Sequence, residues 1–314
     1  MSQRVVRTPV AEDLERAWEQ VAAALAPTPL VATQLAPGAL LKLETLQPTG
    51  SFKVRGALAA VGALPAGVPT VTASAGNHGV AMAYAATRAG VAATVVVSTH
   101  ASAAKVAKIS AYPIALVQHG TSYDDAEAYA LGLPGQHVSA YNDPHVIAGQ
   151  ATIGRELDEQ VDGPLTVVVP VGGGGLAAGL ALWAEQRVRA GEVRIVGVES
   201  AVSRAVSTAV ASGRIRSQEI GPTIADGISG NIEPGCVTPD LLRGRAEFVS
   251  VTDAEIRVAM RWLFTEHGLV VEGAGACGAA AVLAGKVEII GRLVVVLSGR
   301  NITIPAYLKT LAED

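Results

Sequence analysis

Thr166-Val167-Val168-Val169-Pro170-Val171-Gly172-Gly173-Gly174-Gly175-Leu176 is the stretch whose reading decides the fold. An unbroken apolar run of this kind predicts a strand covered on both faces, as parallel strands are, and not an alternating strand with one wet side. Four glycines follow, and from Leu176 to about Val188 the apolar spacing turns helical. Similar runs recur at Pro69 to Thr72, Ala93 to Val97, Arg194 to Val198 and Arg292 to Leu297. Helical patterns lie around them. Leu14, Trp18, Val21 and Leu25 share one face, Val80 to Ala89 is helical, and Thr252 and Glu255 have capping-box spacing for a helix that closes near Gly268. Strands alternating with helices predict an α/β chain built on mostly parallel, open, twisted sheets flanked by helices.

Composition narrows the function classes. With 314 residues, 50% hydrophobic and 17% charged, the chain has enough apolar material for one large core or two modest ones. A net charge of −4, spread without long blocks of one sign, gives no footprint for nucleic acid or an anionic membrane, so a small molecule is the expected partner. Cys236 and Cys277 are too few and too far apart for a disulfide framework or a four-ligand zinc site, which fits a reducing cytoplasm. Met1 to Val10 carries Arg4 and Arg7 but no apolar core of signal-peptide length, and no stretch reaches the roughly 18 to 20 apolar residues of a membrane span.

Five segments are candidates for chemistry. The glycines Gly172 to Gly175, between a strand and a helix, form an anion site of backbone N–H groups backed by the helix dipole. A plain tight turn is the alternative. A rival is the dinucleotide pattern, met by Gly172, Gly174 and Ala177 with Glu199 about 20 residues on as the ribose acid. No Lys-Ser/Thr follows the glycines, which excludes a triphosphate P-loop. In Pro48-Thr49-Gly50-Ser51-Phe52-Lys53-Val54-Arg55-Gly56, small and apolar neighbours would desolvate Lys53 and keep its amine partly neutral, unless Lys53 is an ordinary solvated lysine. Ser74-Ala75-Gly76-Asn77-His78, after a strand and before a helix, offers N–H donors to a carboxylate; otherwise Ser74 or Asn77 caps the helix and His78 is on the surface. Ser298, at the carboxyl end of Arg292 to Leu297, is placed to reach a ligand or merely closes a turn. Glu272 is a lone acid among the small residues Val271 to Ala276, for which helix packing is the plain explanation.

Taken in order, Gly50-Ser51-Phe52-Lys53-Val54-Arg55-Gly56-Ala57, Ser74-Ala75-Gly76-Asn77-His78, Gly172 to Gly175 and Ser298-Gly299-Arg300-Asn301 resemble the fold-type II pyridoxal-phosphate enzymes, in the threonine/serine dehydratase and serine racemase group. The resemblance runs from about Pro27 to Ile302. It implies a tryptophan synthase β-like fold with a large cofactor domain, residues 1–68 and 147–314, and a smaller one, 69–146, closing over the substrate. It implies pyridoxal 5′-phosphate held as a Schiff base by Lys53, with Phe52 against the ring and Asn77 on the ring's 3′ oxygen. Gly172, Gly173, Gly174, Gly175 and Leu176 would hold the phosphate, and Ser298 would face the pyridine nitrogen. Ser74, Ala75, Gly76, Asn77 and His78 would receive the substrate carboxylate. A serine beside the pyridine nitrogen, as Ser298 would be, can leave that nitrogen neutral, so a β leaving group departs promptly and elimination is favoured over transamination.

Departures refine the expectation. Racemase members carry a second acid/base where this chain has Ala75, so two-base chemistry is disfavoured. The family's divalent-cation site needs a further acid after Glu199, and Ser200 to Val206 has none, so no metal is expected. Arg300 stands where a second glycine is commoner, and no regulatory segment is expected after Asp314. The expected activity is ammonia-lyase action on L-threonine, L-serine or a related β-hydroxy amino acid, by a cytoplasmic homodimer; a serine racemase and a nucleotide-binding protein are the alternatives.

Overall fold

The computed structural model describes residues 5–187 and 193–313. Arg4 and Val188, named above in the chain start and at a helix end, lie outside the described residues. The strands are Leu30–Ala32 (β1), Leu40–Leu43 (β2), Thr70–Ala73 (β3), Ala93–Val97 (β4), Ala115–Gln118 (β5), Gln136–His137 (β6), Leu165–Pro170 (β7), Val193–Ser200 (β8), Ala246–Val251 (β9) and Arg292–Leu297 (β10). They form two sheets, ordered β1-β2-β10-β7-β8-β9 and β5-β4-β3-β6. Of the strand pairs among the described residues, only β1–β2 is antiparallel. The chain is thus α/β with two mostly parallel sheets flanked by helices, and all four strands of the smaller sheet fall within residues 69–146.

Why the central strands read as continuous apolar runs is visible in the packing. Val167 and Val169 point into a core with Ile147, Leu157, Leu180 and Trp183 of helices Pro144–Gln160 and Gly175–Gln186. Val168, between them, points into a second core with Ile256, Met260 and Ala276 of helices Asp253–His267 and Gly273–Leu283. Both faces are covered, so alternation has no polar half to show. Leu14 and Val21 are buried from helix Ala11–Ala22, whereas Leu25 lies past its end, in the apolar cluster beneath helix Lys53–Gly62. The Thr252–Glu255 capping box is formed and Gly268 ends that helix in the left-handed region at φ 64°.

Helix Lys53–Gly62 packs against helices Asn77–Ala89 and Pro144–Gln160, between the two sheets. Its far side is anchored by charge. Arg55, fully buried, makes a bidentate pair with Glu44 at 2.8 and 2.7 Å and reaches Glu156 at 2.6 Å and Thr152 at 3.2 Å. Lys42, also fully buried, bonds Glu156 at 2.6 Å, Gln160 at 2.7 Å and the Thr28 carbonyl at 2.8 Å. Two cations and two anions balance, and Thr28 adds a 2.6 Å bond to Glu44. Removing one member of such a cluster strands the others. Arg55→Met is expected to lower unfolding free energy by about 3–5 kcal/mol in urea titration, with a loss below about 1 kcal/mol showing the cluster to be solvated.

Candidate active site

Parallel pairing brings chemistry to one edge. β10 runs beside β7, so both leave the sheet at their carboxyl ends, one into Gly172–Gly175 and the other into Ser298–Asn301. β3, in the other sheet, leads into Ser74–His78. Between the sheets lies a cleft of about 1720 Å³, lined by Phe52, Lys53, Ser74 to His78, Gly172 to Leu176, Glu272 and Ser298. Every segment singled out above therefore opens on one space, although the cleft exceeds the roughly 300–1,000 Å³ usual for a ligand pocket.

Lys53 is the first residue of its helix and is part-buried, not a solvated surface lysine. Its Nζ donates to the Ala140 carbonyl at 2.7 Å and lies 5.1 Å from the centre of the Phe52 ring. Burial disfavours the ammonium and pulls the amine down to about 8. The amine is thereby partly neutral at physiological pH, as a nucleophile or base requires.

The helix Gly175–Gln186 begins at Gly174, φ 85°, with no side chain capping it. Its first N–H groups face the cleft with the dipole behind them, a fit for a phosphate. The glycines themselves are enforced by protein contacts. A Cβ on Gly173 would meet the Tyr141 ring at 2.2 Å, and one on Gly174 would meet Thr238 Oγ1 at 2.8 Å. The turn reading is met by these contacts, and the uncapped helix start leaves the loop's N–H groups compatible with the anion reading. Glu199, by contrast, is buried away from the cleft and its carboxylate accepts from the N–H groups of Val206 and Ser207 at 3.0 and 3.2 Å. It caps the next helix and does not meet a ribose, which removes the dinucleotide reading's second half. Among the described residues no group of three or more His, Cys, Asp or Glu is placed to hold a metal ion.

Opposite the glycine loop, helix Asn77–Ala89 starts at Gly76 with no side-chain cap. Neither Ser74 nor Asn77 caps it; Ser74 Oγ accepts from Gly76 N at 3.2 Å, within the loop. His78 is buried, not on the surface. Its Nε2 lies 3.2 Å from the Val138 carbonyl, and burial, then the nearby Lys53, push the ring down to about 3, so it is neutral. An Nε2–H spent on that carbonyl leaves Nδ1 an acceptor, which cannot hold a carboxylate. Any role of His78 toward a carboxylate is carried by its backbone N–H. Asn77 Nδ2 donates to Glu272 Oε1 at 2.7 Å, which leaves one of its two N–H groups uncommitted among the described hydrogen bonds. Burial raises Glu272 to about 7, against the pull of Asn77. Helix Gly273–Leu283 is rich in small residues because it presses on β10 and its loop: a Cβ on Gly275 would meet the Gly299 carbonyl at 2.6 Å. Ser298 is buried and lines the cleft, whereas Arg300 is exposed and does not.

Two further lining residues carry no role in the sequence reading: Tyr141, which falls in no quoted segment, and Asn301, which ends the quoted Ser298–Asn301 segment. Tyr141 stands on the glycine loop, next to the carbonyl that holds Lys53, and its hydroxyl accepts from Glu233 N at 3.2 Å. Asn301 bonds Thr49, Asn77 and Lys108. Tyr141 lies in no local pattern, and the partners of both are brought in by the return of distant chain segments. Arg55 was in view, inside the Lys53 segment, but with no partner to argue from.

A lysine amine with no neighbouring charge, an uncapped helix start and a part-used amide at one cleft suit a phosphorylated aldehyde cofactor. Comparisons with known proteins agree. An L-threonine ammonia-lyase of Thermotoga maritima is 39% identical over 275 residues, 84% of this chain and 67% of that protein. A putative threonine dehydratase of Sinorhizobium fredii is 35% identical over 96% of this chain and 94% of its own length. Among solved structures, maize serine racemase has a TM-score of 0.88 at 27% identity, covering 97% of each chain. The processed form of threonine deaminase isoform 2 from Solanum lycopersicum has a TM-score of 0.85 at 27% identity, over 99% of this chain and 91% of that one. Residues 21–299 match the family described as "Pyridoxal-phosphate dependent enzyme", and with identities of this size over this much sequence the chain belongs to that family.

Proposed function

We propose that this protein is a pyridoxal-phosphate ammonia-lyase acting on L-threonine, L-serine or a related β-hydroxy amino acid, releasing ammonia and a 2-oxo acid. The observation that carries this reading is the desolvated Lys53 amine in one cleft with the uncapped starts of two helices, at Asn77 and Gly175. The named activities of relatives over most of the chain support it.

When bound, the cofactor supplies the electron sink for a carbanion at the substrate's Cα. Lys53 would link to it covalently, with Phe52 beside the ring. The N–H groups from Gly172 to Leu176 would bind its phosphate, Asn77 would donate its remaining N–H to the ring oxygen, and Ser298 would face the ring nitrogen. Ser74 to His78 would hold the substrate carboxylate through backbone donors. The free Lys53 amine would take the Cα proton, a task matched to a base near 8. Ala75 offers no exchangeable proton to the opposite face, so the proton returns, if at all, from the Lys53 side.

We further infer that residues 1–68 and 147–314 act as the cofactor-binding unit and 69–146 as the unit that closes over the substrate. The contacts Lys105–Asp226, 2.8 Å, and Lys108–Asn301, 3.0 Å, tie helix Ala103–Ser110 across the cleft. Residues 69–146 end inside helix Pro144–Gln160, which would serve as the shared frame. A cytoplasmic homodimer is the assembly we favour: no described helix is long and apolar enough to cross a membrane, and Phe264, Ile304 and Leu308 are exposed.

Lys53→Ala is expected to lose both the borohydride-reducible chromophore and keto-acid formation while circular dichroism is unchanged; a retained reducible chromophore would overturn the assignment. In cofactor-stripped protein, capture of added pyridoxal phosphate needs the neutral amine, so its rate should rise with pH through a midpoint near 8. A midpoint at the ordinary lysine value would mean a solvated amine. Chiral chromatography checks Ala75: the parent should make keto acid with negligible D-serine from L-serine, and Ala75→Ser should add measurable racemisation. Abundant D-serine from the parent would show a second base elsewhere.

A further inference from the structure

We propose that Asn301 is a positioning residue that fixes which way the Asn77 amide faces, and that Lys108 ties this orientation to helix Ala103–Ser110. The inference rests on the reading of Asn77 as the partner of the cofactor's ring oxygen.

A side-chain amide presents an acceptor at one end and two donors at the other, and shape alone does not choose between them. Here the ends of the network choose. Asn301 Nδ2 lies 2.8 Å from the Thr49 carbonyl, which only accepts. Asn301 Oδ1 lies 3.0 Å from Lys108 Nζ, which only donates. Asn301 is therefore held from both sides, with its second N–H directed at Asn77 Oδ1, 2.6 Å away. Asn77 must answer with its oxygen, and its Nδ2 then lies 2.7 Å from Glu272 Oε1 with one N–H left for the ring oxygen. Reversing Asn77 would set two NH₂ groups against each other and an amide oxygen against a carboxylate oxygen. Glu272 alone is a weak guide, because a carboxyl raised to about 7 carries a proton in part of the population near neutral pH. Asn301 does not titrate.

The backbone is shaped around the same network. Gly50 sits at φ 76°, and a Cβ there would come within 2.7 Å of Asn301 Oδ1. A Cβ on Gly299 would come within 2.2 Å of Glu272 Oε1. Arg300 N donates to the Gly50 carbonyl at 2.9 Å, and Ser51 bridges to Gly299, so the lysine segment and the Ser298 segment are joined where their glycines make room. The two distant motifs thus share one purpose at this point, seating Asn301 and Glu272 on either side of Asn77.

Asn301→Asp keeps the side-chain shape but places an acceptor against both the Thr49 carbonyl and Asn77 Oδ1. Cofactor affinity, titrated by absorbance on stripped protein, should fall about tenfold, the equivalent of one charge-sensitive hydrogen bond. The absorbance maximum of the loaded protein should move in the same direction as in Asn77→Ala. Lys108→Met, at an exposed side chain that leaves the interior packed, should weaken binding by about two- to threefold and serves if Asn301→Asp does not fold. Arg300→Ala, next in the chain but outside the cleft, should match the parent. If Asn77→Ala changes affinity and spectrum while Asn301→Asp and Lys108→Met do not, the positioning role is wrong. If Asn77→Ala itself matches the parent, the reading of Asn77 fails and the proposal falls with it.

Discussion

The buried cluster of Lys42, Glu44, Arg55 and Glu156 is the constraint on which the site depends. Arg55 is two residues from Lys53, about 200° around a helix, so the side chains leave on nearly opposite sides. One goes into the cleft and the other into a cage drawn from β2, its following turn and helix Pro144–Gln160. Bidentate pairing resists rotation of the helix, because the guanidinium fork matches a carboxylate in only one orientation. A buried ion cluster is weak support for net stability, since well-packed apolar side chains do as well or better. Its value here is directional: it holds the register of the helix that aims Lys53.

Charge in that cluster is balanced within it, the two carboxylates being matched by Lys42 and Arg55. The Lys53 amine is lowered to about 8 by its own burial on the cleft side, with no charge of the cluster among the causes. Position is therefore set from the far side of the helix and reactivity from the cleft side.

Much of this was legible in the sequence, for identifiable reasons. β4 and β10 lie where their apolar runs are, and the other expected strands are within a residue or two, because strands buried on both faces carry an uninterrupted signal. β1, β2, β5, β6 and β9 are short or mixed in polarity and had no such signal. Lys42 and Glu44 interrupt the β2 run with charges, which points to buried partners but does not name them. The five candidate segments stand out because each is a junction or turn rich in small residues. The sequence does not choose between a buried and a surface His78, because its burial depends on Val138, on a separate strand end. Asn301 ends a quoted segment and Tyr141 lies in none, but the bonds that give them roles reach partners 224 and 92 residues away, which no local pattern names.

Helix starts around the cleft are of two kinds, capped by a side chain and left without one. Ser102, Ser122, Asp143, Thr252 and Thr303 each cap the helix they precede. The helices that begin at the cleft with Lys53, Asn77, Gly175 and Gly273 have no side-chain cap hydrogen bond. Omitting a cap costs about 1 kcal/mol per helix, a cost also met away from the cleft at helix Ala11–Ala22, so it is the position of Gly76 and Gly174 against the cleft that gives their omission a use. A side-chain oxygen at Gly174 or Gly76 would occupy the N–H groups that an incoming anion needs. On the proposed reading, phosphate and substrate carboxylate complete two of these helices, and their charge meets the positive ends of both dipoles. Binding then recovers locally what folding left unsatisfied, and the anions are held by backbone that cannot be protonated away. The selectivity left to side chains falls on the few polar groups between the two helix starts, which is where Asn77, Glu272 and Asn301 lie.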